Sequence, residues 1–267
     1  MTTTTAAPER LTTPPEWHDL LKAALEMPGE AGNTYNRFRR FSLGNQVLLM
    51  IQGLFEPVNT YKGWIALGRQ VRKGSKAKSI YVPMFRKKED KDGEEHQYLS
   101  GFKLVPSMFG VSETDGDDLP PYEPPTWSKE RALAKLGIGV VPFAEIDGNV
   151  QGYSTGHKEV AINPVAVYPF KTLMHELAHI VAGHTSDEQI AEYGTHRGLK
   201  EFEAEAAAYL ILNELGALEQ FNAAESRHYI QTWLQDQKPD EKSVRHVFST
   251  ADKILRAGYP EEKKEEA

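Results

Sequence analysis

The chain has 267 residues, 31 Lys and Arg against 38 Asp and Glu, a formal net charge of -7 and no cysteine. The missing cysteines exclude a disulfide framework, a thiolate zinc finger and a cysteine nucleophile, so a transition-metal site must draw on His and carboxylate ligands. The opening residues lack the basic head and apolar run of a signal peptide, and no stretch approaches eighteen apolar residues, which predicts a soluble, cytoplasmic protein with no membrane partner.

The length suits one large or two modest domains. Residues 1–13, rich in Thr, Ala and Pro, are expected to form a disordered leader. Pro14 and Pro15 then open a helix on which Leu20, Leu21, Ala24 and Leu25 share a face, ended by Pro28-Gly29. Ser42 is placed to cap a second helix running through Val47, Leu48, Leu49 and Ile51 to Gly53. Residues 61–74 read as a short helix and turn, and residues 79–85 and 97–104 as a hairpin turning at Asp92-Gly93. These elements predict an α+β module over residues 14–114.

Residues 115–126, acidic and proline-rich, read as a linker. A mostly helical module with a small sheet follows over residues 127–260. Its expected elements are a helix over 128–136, strands over 140–144 and 159–162, a turn at Asp147-Gly148-Asn149, a helix from about Val167, and helices over 198–215, 223–234 and 241–257. Residues 261–267 are expected to be a disordered tail. The predicted fold class is thus α+β in two domains.

The chemistry concentrates at His175-Glu176-Leu177-Ala178-His179. Two histidines four apart project from one helix face about a turn apart and can share one ion. Glu176, rotated about 100° from His175, falls beside the ion's open position, where it can take a proton from water. Zn2+ is the expected cofactor and Glu176 the expected general base. His184 lies five residues past His179, nearly opposite His175 on a helical wheel, and is not expected to reach the ion. The metzincin pattern requires glycine and histidine where this chain has Ala182 and Thr185. A later helix offers Glu201 and Glu205 on one face, with Glu203 pointing elsewhere. Glu201 is assigned as third ligand, with Glu203 and His196 open as alternatives. Glu205 is then placed to bond the second nitrogen of a ligating histidine. Residues 151–163 alternate like a hairpin ending in an edge strand, the element on which an extended peptide can dock by strand addition.

The negative total hides a basic stretch. Between Tyr35 and Lys88, Glu56 is the single acid among many Arg and Lys residues. Rings are interleaved with these cations, a combination suited to single-stranded nucleic acid, since bases stack on rings while cations follow phosphates. The candidate binding residues are Arg39, Arg40, Tyr61, Lys62, Trp64, Arg69, Arg72, Lys73, Lys76 and Lys78. Trp64 is equally well read as a core residue, and an anionic protein would answer the same charges.

Over residues 17–111 the first module resembles the N-terminal single-stranded-DNA-binding domain of ArdC-like antirestriction proteins. The resemblance rests on Asn45, Leu48-Leu49, Tyr61-x-x-Trp64-x-x-Leu67-Gly68-Arg69-x-Val71-x-Lys73-Gly74 and Ile80-Tyr81-Val82-Pro83. Through His175-x-x-x-His179 and Glu201-x-x-Ala204-Glu205 the second module resembles that family's zincin-type metallopeptidase domain, and also the ImmA/IrrE-type regulatory peptidases. The resemblance implies a mobile-element protein that coats entering single-stranded DNA and shields it from restriction. It also implies a zinc metallopeptidase activity toward a protein substrate. Residues 107–118 are shorter and more divergent than that family's pattern. The alternative is a regulatory zinc protease whose basic module recruits a protein.

Overall fold

The computed structural model describes residues 10–27, 41–89, 94–145, 149–186 and 193–261, with the side chains of 193–196 left aside. The leader to residue 9, Arg39, Arg40, the turn residues Asp92-Gly93 and Asp147-Gly148, the side chain of His196 and the tail from residue 262 lie outside the described residues. The fold mixes helix and sheet in two compact units, one within Met1–Glu16 and Ala31–Tyr122, the other within Trp17–Glu30 and Glu123–Ala267.

In the first unit α2 (Leu43–Ile51) starts at Ser42, whose side chain accepts from the Asn45 N–H, and buries Val47, Leu48 and Leu49. A three-stranded sheet in the order β1-β4-β3 joins β1 (Val58–Thr60), β3 (Lys78–Glu89) and β4 (Glu95–Gly110). Two amides of the α2 segment cover the outer edge of β3. Asn45 Nδ2 donates to Tyr81 O at 3.0 Å while Tyr81 N–H donates to Asn45 Oδ1 at 2.7 Å. Gln52 does the same to Ser79, donating at 2.8 Å and accepting at 2.9 Å. Each amide imitates a strand partner and satisfies backbone groups that an open edge leaves bare.

The ribbon of β3 and β4 is longer than the two short strands read from the sequence. Its outer half carries Arg86, Lys87 and Lys88 in solvent, where alternating burial gives no signal.

The short α3 (Tyr61–Ala66) carries Trp64 into the core, where the residue is 0% exposed and its Nε1–H donates to Phe109 O at 2.9 Å. This corrects the reading of Trp64 as a stacking platform for bases: its ring is occupied by the protein. Replacing Trp64 with Ala is expected to lower the unfolding free energy by about 3–5 kcal/mol. Urea denaturation measures this, and an unchanged midpoint would contradict the core assignment.

Gly68 takes φ 72° just after α3, a left-handed conformation open to glycine, and turns the chain into β2 (Arg69–Val71). Strand β2 pairs antiparallel with β5 (Thr114–Gly116). The expected linker therefore starts late: residues 115 and 116 are paired in a strand, and residues 117–128 carry no helix or strand.

The second unit contains α1 (Trp17–Glu26), α4 (Lys129–Leu136), α5 (Pro169–Ala182), α6 (Tyr193–Glu214), α7 (Ala223–Asp236) and α8 (Glu241–Gly258). Helix α1 was expected to open the first module. Its buried face of Leu20, Leu21, Ala24 and Leu25 belongs instead to this unit. Trp17 N–H donates to Glu241, the Trp17 ring lies 5.4 Å from Phe248, and Tyr209 OH donates to Leu25 O. An apolar face specifies burial but does not name its partner.

Helices α5 and α6 pack through small residues, with Ala178, Ala204, Ala206, Ala207 and Ala208 fully buried. A small sheet in the order β6-β8-β7 lies beside α5, formed by β6 (Gly139–Val140), β7 (Gly152–Ser154) and β8 (Glu159–Ile162). Strand β6 stops at residue 140, short of the expected 144, as the chain reaches Pro142. Strand β8, expected to end the hairpin as an edge strand, instead lies between its two neighbours, and β6 and β7 are the edges.

Candidate metal centre

Pro169 opens α5 at a position where a missing N–H costs nothing. One turn separates His175 from His179, and α6 brings Glu201 against both. His175 Nε2 and His179 Nε2 are 3.1 Å apart, and Glu201 Oε2 lies 3.3 Å from the first and 3.6 Å from the second. Donors held ~2.0–2.1 Å from a tetrahedral zinc ion are separated by ~3.3 Å. The three atoms thus stand at the corners of a face that one such ion would fill.

The electrostatics favour a cation. Two imidazole lone pairs at 3.1 Å repel unless a proton or metal ion lies between them. Burial pushes the His175 pKa down, but hydrogen bonds that it donates to Glu201 and Glu205 outweigh it and hold the group at about 9. Glu201 is held far below the usual carboxylate range by its hydrogen bonds with His175 and His179. For Glu205, burial raises the pKa, but His175 and Lys171 bring it to about 2. Both carboxylates are therefore anionic at neutral pH.

The back of each histidine is held. His175 Nδ1 lies 3.0 Å from Glu205 Oε2, the contact expected of Glu205, and Lys171 Nζ and Ser226 Oγ bind the same carboxylate at 2.7 and 2.6 Å. His179 Nδ1 lies 3.0 Å from His184 Nδ1, and His184 Nε2 lies 2.9 Å from Glu203 Oε2. Glu203 therefore faces away from the three converging donors, where its Oε1 accepts from Ser243 Oγ at 2.5 Å.

The helical-wheel argument for His184 assumes that α5 continues. The helix ends at Ala182, and Gly183 with φ 81° reverses the chain. His184 N–H then donates to His179 O and Gly183 N–H to Ile180 O, the paired bonds of a Schellman turn. The glycine at position 183 was the available signal. Ser154, Ser226 and Ser243 carried none.

Glu176 lines a cleft of about 440 Å³ together with Gly152–Gly156 of the β7 segment, and its Oε2 accepts from Ser154 Oγ at 2.7 Å. A second cleft of about 500 Å³ opens on the other side of His175 and Glu201, lined by Tyr168, Phe221 and Tyr229.

In the first unit the nucleic-acid candidates divide. Tyr61, Lys62, Lys73 and Lys76 are exposed, and Tyr61, Arg72 and Lys73 line one groove of about 740 Å³. Arg69 is occupied within the protein: it donates to Thr114 Oγ1 at 2.8 Å and to the carbonyls of Gly116 and Asp117. Arg72 pairs with Asp115 at 3.1 Å and donates to Ser112 O. Lys78 is half-buried, Trp64 is in the core, and Arg39 and Arg40 lie outside the described residues.

Residues 16–105 match the family model of the N-terminal domain of anti-restriction factor ArdC. The metal-free crystal structure of antirestriction ArdC from plasmid R388 matches with a TM-score of 0.51 at 20% identity, covering 91% of this chain and 94% of that one. The Mn(II)-bound structure gives 0.52 at 18% identity, with 91% and 97% covered. At such identities the likeness is one of fold. DNA primase TraC of Escherichia coli is 26% identical over 245 residues, 81% of this chain but 17% of TraC. An uncharacterized protein, y4eC of Sinorhizobium fredii (strain NBRC 101917 / NGR234), is 28% identical over 218 residues, 73% of this chain and 68% of that protein. No described helix is long and apolar enough to cross a membrane.

Proposed function

For a chain that carries an ArdC-type N-terminal domain and the ArdC fold, we propose a plasmid-type antirestriction protein whose first unit binds single-stranded DNA and whose second unit is a zincin-like metallopeptidase. The observation that carries the second half is the convergence of His175 Nε2, His179 Nε2 and Glu201 Oε2 within 3.1–3.6 Å, with Glu176 beside them in an open cleft.

Two imidazoles and a carboxylate form the ligand set of a catalytic zinc site, and such nitrogen and oxygen donors also accept manganese. A divalent ion held there supplies Lewis-acid polarisation of a carbonyl and a lowered pKa for water. Glu176, turned by the Ser154 hydroxyl, takes a proton from the attacking water and returns it to the leaving amine. Glu205 accepts from His175 Nδ1, which leaves the Nε2 lone pair of His175 available and would let it hold such an ion. The outer edge of β7, whose residues line the same cleft as Glu176, supports docking of an extended peptide by strand addition. Isothermal titration of the purified protein with zinc chloride is expected to give one site per chain.

For the first unit, the exposed Tyr61 and Lys73 at one groove support the DNA reading, as do the ArdC and TraC relatives. Removing Lys62 and Lys73 together is expected to lower the salt slope of single-strand binding by about 1–2, at ~0.7 per phosphate contact. Tyr61→Ala is expected to cost ~1–3 kcal/mol for a lost stacked base. Fluorescence anisotropy of labelled oligonucleotides across a salt series reads both. Equal affinity for single and double strands with an unchanged slope would instead favour a basic unit that recruits protein.

A further inference from the structure

His184 sits at no ligand position, yet it is 6% exposed and joined on both ring nitrogens. The direction of the bonds follows from chemistry. When His179 offers its Nε2 lone pair to an ion, its proton resides on Nδ1 and must be donated. The acceptor 3.0 Å away is His184 Nδ1, so the proton of a neutral His184 lies on Nε2, where Glu203 Oε2 accepts it at 2.9 Å. Glu203 Oε1 takes the Ser243 hydroxyl proton at 2.5 Å. Every donor in the chain His179, His184, Glu203, Ser243 meets one acceptor, and the ring of His246 lies nearly parallel to His184 at 6.4 Å.

We propose that His184 and Glu203 are positioning residues that fix the tautomer and ring orientation of His179, through a relay joining α5, its C-terminal turn, α6 and α8. The inference rests on the metal-centre reading and deepens it. Glutamates at 201, 203 and 205 then divide the work of α6. Glu201 converges with the two Nε2 atoms that would hold the ion, Glu205 holds His175 directly, and Glu203, on another face of the helix, holds His179 through an interposed imidazole. A neutral imidazole accepts more weakly than a carboxylate, so His179 is held in orientation with less added basicity than His175.

The test is zinc affinity by chelator competition in the full chain, with the visible spectrum of the Co(II)-loaded protein as a second readout. His184→Phe and Glu203→Gln are each expected to weaken zinc binding about 10–100-fold and to shift the cobalt bands. The double variant is expected to lose no more than the worse single one, because the two residues act in series. His184→Asn, whose Oδ1 can still accept from His179, is expected to recover part of the affinity lost in His184→Phe. Thermal unfolding of the metal-free proteins checks that Glu203→Gln, the milder change, folds as the parent does. Parental affinity and cobalt spectra in both single variants would overturn the relay alone, as would additive losses in the double variant. A parent that binds no better than His175→Ala would remove the metal centre and the relay with it.

Discussion

Zinc affinity is expected to fall by at least about 10²–10⁴-fold in His175→Ala and comparably in Glu201→Ala. Structural zinc sites contribute about 10–16 kcal/mol at neutral pH, so each protein ligand accounts for a few kcal/mol, and every 1.4 kcal/mol is tenfold. The substitution at His175 leaves the surroundings paired, because Glu205 keeps Lys171 and Ser226, so loss of metal is expected without loss of fold. Glu201 is the ligand most open to challenge, since Glu203 is two residues away on the same helix. The geometry separates them: Glu201 Oε2 lies 3.3 and 3.6 Å from the two Nε2 atoms, whereas Glu203 is bound to His184 and Ser243. Chelator competition across Glu201→Ala, Glu203→Ala and His175→Ala is expected to rank Glu203 as the mildest. A larger loss at Glu203 than at Glu201 would overturn the ligand assignment.

The candidate metal ligands were legible because an i, i+4 pair on one helix states its own geometry, and the same spacing links Glu201 to Glu205. His184 was hidden because its place depends on a chain reversal, and a helical wheel extended through Gly183 sends it to the wrong side. Charge counting located the basic unit but could not say which cations are free. Arg69 and Arg72 point at backbone carbonyls and Asp115, so these two cations fasten β2 to the β5 segment. Trp64 was ambiguous for a related reason: composition does not tell which side of a six-residue helix faces a sheet. Helix α1 showed a clear apolar face, yet its partners lie more than 180 residues away in α6 and α8, beyond any local pattern.

Glu176→Gln is expected to bind zinc as the parent does and to lose peptide hydrolysis by about 10²–10⁴-fold, the usual contribution of a positioned general base. The amide has the carboxylate's shape and can still accept the Ser154 hydroxyl, so the cleft should keep its form. It cannot take a proton at neutral pH. The variant therefore separates the group that moves protons from the groups that hold the ion, a separation His175→Ala cannot make because it removes both metal and activity. The readout is cleavage of a fluorogenic peptide library together with metal content on the same preparation. Parental turnover in the Gln variant would exclude Glu176 as the base. A zinc-loaded parent that cleaves nothing in the library would leave the three ligands as a structural staple between α5 and α6. The free edge of β7 and the open cleft around Glu176 weigh against that outcome, since structural zinc sites complete their coordination with protein ligands and have no need of an exposed face.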